Sequence, residues 1–392
     1  MRWLIVNSDY PGFLQWLYAR HPGLEREAYE TQMKTRMESL FGLADFYSSN
    51  LRRLGQEAQE VYANNWFLQR AWAKERGLRV ESPGKLLERR RETLQRLRRM
   101  AARSPLKRLG PLFRKVTGHL DNPKAWMYRI LGEQIKSFKP DILLNQNMRL
   151  DARFFREMKH HVRLLMGQRA STLPQGQDYG VYDLIISSLP NFVEYFRRQG
   201  LRSELHRLGF EPAILGRLGE TGRSVGVSFV GSLSEAHSTR RFLLQYVCAR
   251  IPTAIWGQGV ETVPHGSPLK KSYRGNAWGS EMYRVLLGSR ITLNHHIDAA
   301  ENYANNMRLF EATGTGALLV TDWKRNLHEM FEVGKEVVAY RSPEECVELI
   351  QHYLEHETER EAVARAGQGR TLREHTYYRR MEELLEIVRR YL

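Results

Sequence analysis

Cysteine is nearly absent: Cys248 and Cys346 are the only two in 392 residues. Two thiols make no disulfide framework, so a stapled secreted scaffold is excluded and both read as inert core thiols in a reducing compartment. Long apolar runs are missing as well. No stretch approaches the ~18 apolar residues of a membrane span. The opening MRWLIVNSDY holds a run of only four, far short of a signal-peptide core. A cytoplasmic location is therefore expected. Internal repeats, low-complexity tracts and an Asp-x-Asp motif are also lacking. His295 and His296 are adjacent but have no third ligand at suitable spacing, so neither a metal nor a cofactor is expected.

Acidic residues are outnumbered, 44 Asp and Glu against 60 Lys and Arg, for a formal charge of +16. The excess is local. Residues 85–115, KLLERRRETLQRLRRMAARSPLKRLGPLFRK, hold twelve Lys/Arg against two Glu, which is +10 of the +16. Leu86, Leu87, Leu94, Leu97 and Met100 recur there near helical spacing. The segment reads either as a solvated helical face or as a surface helix for anionic lipid headgroups or an acidic acceptor. The lipid alternative would put the protein at the inner membrane face. Nucleic acid fits less well, because no nucleic-acid motif accompanies the charge and aromatics are not interleaved with it.

A hydrophobic content of 42% with 10% aromatics is that of a folded protein, and the length suits two domains of roughly 150–220 residues. Trp3–Val6 and Glu57–Ala63 read as strands around a long helical region. KPDILLNQN (139–147), HVRLLMGQ (161–168) and YDLIISS (182–188) are short buried runs, each followed by polar residues and a helical segment. After a glycine-rich stretch the design restarts with VGVSFVGS (225–232), PTAIWGQG (252–259), RITLNHH (290–296), ALLVTD (317–322) and EVVAY (336–340). Buried runs alternating with helices predict α/β architecture, two doubly wound parallel sheets. The expected division is 1–210, a linker at 211–224, a second domain at 225–375, and a final helix at 376–392. Ser342-Pro343-Glu344-Glu345 predicts a capped helix start. Met381, Leu384, Leu385 and Val388 share one face of the last helix.

Ligands of open parallel sheets bind beyond the carboxyl ends of the strands. Gly231-Ser232 follows the first strand of the second half, where glycine allows close approach of a phosphate and serine can donate to it. The strongest stretch is NNMRLFEATGTGALLVTD (305–322). On a helix, Asn305, Arg308 and Glu311 fall on roughly one side. An arginine fork suits a diphosphate, and a carboxylate one turn on suits ribose hydroxyls. Thr315 and Gly316 are small groups at the helix end. The competing reading is an ordinary helix–turn–strand connection with a solvated ion pair.

This stretch, with VSFVGS, the ITLN strand, R-x-F-E-A, the strand ending in Thr-Asp and the SPEE helix, resembles the donor-binding half of GT-B glycosyltransferases. The group it resembles is the spore-maturation-protein-B-like, family 1 C-terminal-domain group. The resemblance covers about residues 225–375 and implies two Rossmann-like domains facing a cleft. Its activity would be hexosyl transfer from a nucleotide-diphosphate sugar without a metal. By position, Glu311 would bind ribose, Arg308 with Asn305 or Asn306 the diphosphate, Gly231 and Ser232 the phosphates, and His295 would lie near the sugar. Large retaining families carry a second glutamate before the ribose one, with seven residues between them. Here Tyr303 holds that place and Glu301 lies two residues early. Retention is expected, with the leaving phosphate taking the acceptor proton. A base in the first domain, Asp9 or His160/His161, would instead give inversion. The alternatives are a sugar-nucleotide epimerase or hydrolase on the same fold, and a non-catalytic basic binding protein.

Overall fold

A computed structural model describes residues 1–84, 88, 124–146, 148–173, 176–219, 221–234 and 237–392. Apart from Glu88, the basic segment 85–115 and the readings placed on it lie outside these residues. The described strands build two sheets, and every pairing in them is parallel.

The first sheet comprises β1 (Arg2–Asn7), β2 (Glu57–Tyr62), β3 (Ile142–Asn145), β4 (Leu164–Gln168), β5 (Leu184–Ser187) and β6 (Ser203–Leu205), in the order β2-β1-β3-β4-β5-β6. The second comprises β7 (Val225–Val230), β8 (Ala254–Trp256), β9 (Ser289–Asn294), β10 (Leu318–Asp322) and β11 (Val338–Tyr340), in the order β11-β10-β9-β7-β8. The apolar runs became central strands because parallel strands are covered by helices on both faces. β3, β4 and β5 are buried at every position. Strand β6, absent from the sequence reading, is three residues long with one buried, and carries no apolar run to detect.

Each order reverses once, between β1 and β3 and between β7 and β9, and such switch points open a crevice at the carboxyl edge. The two carboxyl edges face each other. Asn305 Nδ2 donates to Ser188 Oγ, past β5, at 3.3 Å, and Asn191 Nδ2 donates to the Ala299 carbonyl at 3.3 Å. Near the ends of β1 and β8, Phe13 and Phe41 pack edge-on against Trp278, and Ser280 N–H donates to the Ser39 carbonyl at 2.7 Å. An interdomain cleft results.

The helix Pro343–Glu355 starts as its sequence predicts. Ser342 Oγ accepts the Glu345 N–H at 3.1 Å, and the Glu345 carboxylate accepts the Arg341 N–H at 2.6 Å, a reciprocal cap. At the crossing between halves, Phe210 N–H donates to His375 O at 2.8 Å and Tyr377 N–H to Phe210 O at 2.9 Å. The helix Tyr377–Arg389 then lies on the first-domain helix Phe46–Arg53, with Phe46 stacked on Tyr377 and Arg53 over the Tyr378 ring. Met381, Leu384, Leu385 and Val388 are the face it buries there.

Candidate functional site at the second-sheet edge

The helix Met307–Gly314 begins just past the carboxyl end of β9. Its N-cap residue, Asn306, makes no side-chain cap bond. The Asn306 amide is instead exchanged with Asn294 at the end of β9, donating to Asn294 Oδ1 at 2.7 Å. The helix thus presents first-turn N–H groups without a side-chain cap, together with the positive end of its dipole.

Arg308 and Glu311, one turn apart, approach to 2.8 Å with side chains 14% and 5% exposed. That burial rules out a solvated surface pair. Glu311 also accepts the Tyr283 hydroxyl at 3.2 Å, and burial beside Glu311 pushes that phenol well above its ordinary range. Arg308 Nη2 faces Met282 Sδ at 3.1 Å. Among the described residues, Arg308 Nε and Nη1 have no acceptor in hydrogen-bonding alignment, and Asn305 Oδ1 has no donor. The contact to Glu311 is therefore a Coulombic pair that leaves N–H groups unused. Each buried polar group left unsatisfied costs about 1–3 kcal/mol, so their grouping at a helix start makes this the candidate site.

Two neighbouring loops floor the site. Gly231 N–H donates to Trp256 O at 3.0 Å, and a Cβ on Gly257 would overlap the Gly231 carbonyl. These glycines serve the close packing of two loops. Ser232 Oγ lies 3.1 Å from Ser234 Oγ and accepts the Ser234 N–H. Arg240, which the sequence reading did not single out, ties the loop after β7 to the loop after β9. It donates to Ser232 O at 3.1 Å and to His295 O at 2.8 and 3.2 Å. Burial lowers its pKa to about 10.

His295 Nδ1 is 3.0 Å from the Tyr340 hydroxyl and Nε2 is 3.3 Å from Thr239 Oγ1, and burial holds the ring below its ordinary pKa. His296, fully buried, sets Nδ1 2.7 Å from Asp322 Oδ1, which also accepts the His296 backbone N–H. Burial alone would raise the Asp322 pKa, but His296, His295 and Lys324 together hold it below the usual carboxylate range. Asp322 closes the Thr-Asp strand end noted in the sequence, though its service to His296 was not legible there. A groove of about 660 Å³ opens between Thr239, His295, Asp322, Lys324 and Tyr340. A second depression, about 590 Å³ near Val225, Thr253 and Lys271, lies at the amino ends of β7 and β8, away from the cleft.

Four expected site residues are displaced from this geometry. Thr315 Oγ1 donates to Glu311 O at 2.8 Å and closes the helix, and Gly316, at φ +75°, turns the chain into β10. Both lie at the amino edge, because an eight-residue helix carries the chain about 12 Å across the sheet. The His160 and His161 rings lie 4.0 Å apart, tilted by 40°, in a turn preceding β4, also at the amino edge. Neither can act as a base in the cleft. Asp9 does sit past β1 at the carboxyl edge, yet its carboxylate is bound by Arg36, Oδ1 to Nη2 at 2.5 Å and Oδ2 to Nε at 3.3 Å. It is a buried ion-pair partner and no free base.

Residues 239–386 match the family model described as glycosyl transferase-like. Over its full length the chain is similar in fold to Anabaena HepE in complex with UDP-glucose, with a TM-score of 0.58, 11% identity, and 100% of both chains covered. A glycosyltransferase from Rickettsia africae is similar at a TM-score of 0.56 and 10% identity, covering 100% of this chain and 98% of that one. No curated protein matches the sequence. The chain has the GT-B glycosyltransferase fold. In this GT-B chain the glycosyl transferase-like match takes in Arg240, His295, His296, the Asn305–Glu311 stretch and Asp322. The GT-B position at which a second glutamate was sought is Tyr303, covered by the Arg325 guanidinium at 4.0 Å. Glu301 adopts φ +50°, and its carbonyl accepts from Lys324 at 2.6 Å.

Proposed function

We propose that this GT-B chain transfers a sugar from a nucleotide-diphosphate donor to an acceptor hydroxyl. The observation that supports it is Arg308, its side chain 14% exposed at a helix start without a side-chain cap, with an Nε–H that meets no acceptor among the described residues. A diphosphate would take that N–H and the first-turn amides, which together stabilise the charge that grows as it leaves. Glu311, held between Arg308 and Tyr283, would accept from ribose hydroxyls. Asn305, tied to Ser188 across the cleft, would meet the donor from the same side. HepE, which shares the fold, was crystallised with UDP-glucose, and a uridine diphosphate sugar is the first donor to try.

In the transfer the bond from the anomeric carbon to the diphosphate oxygen breaks, a bond to the acceptor oxygen forms, and the acceptor proton passes to the departing phosphate. With Asp9 paired to Arg36 and His160 at the opposite edge, the leaving phosphate is the base this reading favours, and retention follows. Arg308 and the helix start supply the positive charge, so the reading invokes no metal, and a chelator should leave turnover unchanged. The basic stretch 85–115 supports contact with an anionic partner, an acidic acceptor or a membrane face.

Calorimetry with nucleoside diphosphates, followed by NMR of the product anomer, tests the reading. Absence of any nucleotide binding would leave a scaffold protein on a GT-B frame. Free sugar accumulating at full rate without acceptor would point to hydrolysis.

A further inference from the structure

The groove beside His295 is not occupied by the diphosphate reading. It opens over the carboxyl ends of β9, β10 and β11, between the starts of the helices Ser238–Cys248 and Pro343–Glu355. Alternation along β10 sets it apart from the Arg308 helix. Leu318 and Val320 join the core beneath those two helices, whereas Leu319 points the other way, into the core with Leu309 and Phe310. The groove and the Arg308 site thus share one edge of the sheet and lie on opposite faces. They meet at the tip of β9, where Asn294 holds Asn306 by its side chain and the Tyr340 hydroxyl by its carbonyl.

At the groove floor His295 is held in one tautomer. The Tyr340 hydroxyl donates its one proton to the Asn294 carbonyl at 2.8 Å, so it can only accept from His295 Nδ1, 3.0 Å away. Nδ1 therefore carries the ring proton, and Nε2 holds a lone pair on a ring that burial keeps neutral at neutral pH. Nε2 lies 3.3 Å from Thr239 Oγ1, but that hydroxyl donates its single proton to Asp298 Oδ1, the closer contact. His295 Nε2 is left as an acceptor with no donor among the described residues. Beside it, Asp322 Oδ2 lies 3.2 Å from Lys324 Nζ, which adds a charged acceptor and a charged donor. The walls are aromatic. Phe242 is 65% exposed, and Trp323, half-buried, has the Arg341 guanidinium 4.1 Å from its ring.

A phosphate or carboxylate anion has no proton to give the His295 lone pair and is repelled by Asp322. A sugar answers both needs, because each hydroxyl donates and accepts while the C–H face of the ring covers apolar surface. Resting on the transfer reading for the word acceptor, we propose that this groove is a subsite for a neutral sugar unit of the acceptor. Hydroxyls donate to His295 Nε2 and Asp322 and accept from Lys324, and the C–H face lies on Phe242. The acceptor is then a saccharide chain that runs from the cleft around the tip of β9, and the reaction class that supplies it is an earlier glycosyl transfer.

The test is saturation-transfer NMR titration of the methyl glycosides of glucose, galactose, mannose and N-acetylglucosamine into the full-length protein, Phe242→Ala and Arg308→Gln. Calorimetry of uridine diphosphate and UDP-glucose is run on the same three proteins. Phe242 is exposed, so Phe242→Ala should keep the parent melting temperature. At least one glycoside should bind, about tenfold more weakly to Phe242→Ala and within about twofold of the parent to Arg308→Gln. Uridine diphosphate should show the reverse pattern. No glycoside binding, or binding unchanged in Phe242→Ala, would overturn the subsite. Competition by inorganic phosphate would overturn the neutral ligand. Weaker UDP-glucose with unchanged uridine diphosphate in Phe242→Ala would make the groove a pocket for the donor's sugar and overturn the acceptor assignment. If a glycoside binds through Phe242 while no nucleotide binds the parent protein, the transfer reading falls and the saccharide site stands.

Discussion

Arg36 grips Asp9 where β1 ends in the cleft, with Nη2 2.5 Å from Oδ1 and both side chains almost wholly buried. The Tyr62 ring lies 3.7 Å from the same guanidinium, on the neighbouring strand β2. The pair fixes the loop that leads into the helix Pro11–Arg20, whose Phe13 meets Trp278 of the second domain. Asp9 therefore shapes the cleft wall.

Replacing Asp9 by Asn should act on stability before chemistry. Removing one partner of a buried pair leaves Arg36 uncompensated, a loss of about 3–5 kcal/mol in denaturant unfolding. At a temperature where the variant stays folded, turnover should remain within about tenfold of the wild type. A drop beyond about 100-fold in the folded variant would give Asp9 a base's role after all.

Arg308→Ala should weaken donor binding by roughly 2–4 kcal/mol, because a charge-assisted contact to the diphosphate disappears. Calorimetry with a nucleoside diphosphate reads this directly. Affinity unchanged in a folded variant would sink the assignment of the helix start as the diphosphate site.

Burial pushes the Glu60 carboxyl up to about 8 from an ordinary 4.5, despite bonds from the Ser48 N–H and Asn7 Nδ2. A raised folded-state value means the native protein holds that proton more tightly than the unfolded chain does. Wild-type stability should therefore fall as pH climbs from 4.5 to about 8, by at most about 1.4 kcal/mol per pH unit. Glu60→Gln does not titrate. Its thermal melts should match the wild type at the acid end of this window, gain on it through the window, and hold a constant lead above it. A lead independent of pH would contradict the buried-carboxyl account.

At the crossing between the halves, a Cβ on Gly314 would run into the Phe210 ring. Gly314→Ala should lower unfolding free energy by about 1–3 kcal/mol through overpacking. A variant as stable as the parent would show that Phe210 can move aside at no cost.

What the amino-acid order settled by itself was everything governed by local backbone geometry. Ten of the eleven strands were legible as short segments, most of them carrying brief apolar runs, the Ser342-Pro343 signal specified a helix start, and a three-residue spacing put Arg308 and Glu311 one turn apart. These are consequences of a period, and a period is visible in one segment alone. Tertiary structure decided which edge of a sheet each group occupies and whom it meets. Thr315 is seven residues from Arg308 in sequence yet ends at the far edge, since the intervening helix crosses the sheet. Asp9 finds Arg36 across 27 residues, His296 finds Asp322 across 26, and Arg240 finds the His295 carbonyl across 55. No spacing encodes such meetings, because they are fixed by how strands order and helices pack over them, and each partner's burial is known only once the chain has closed.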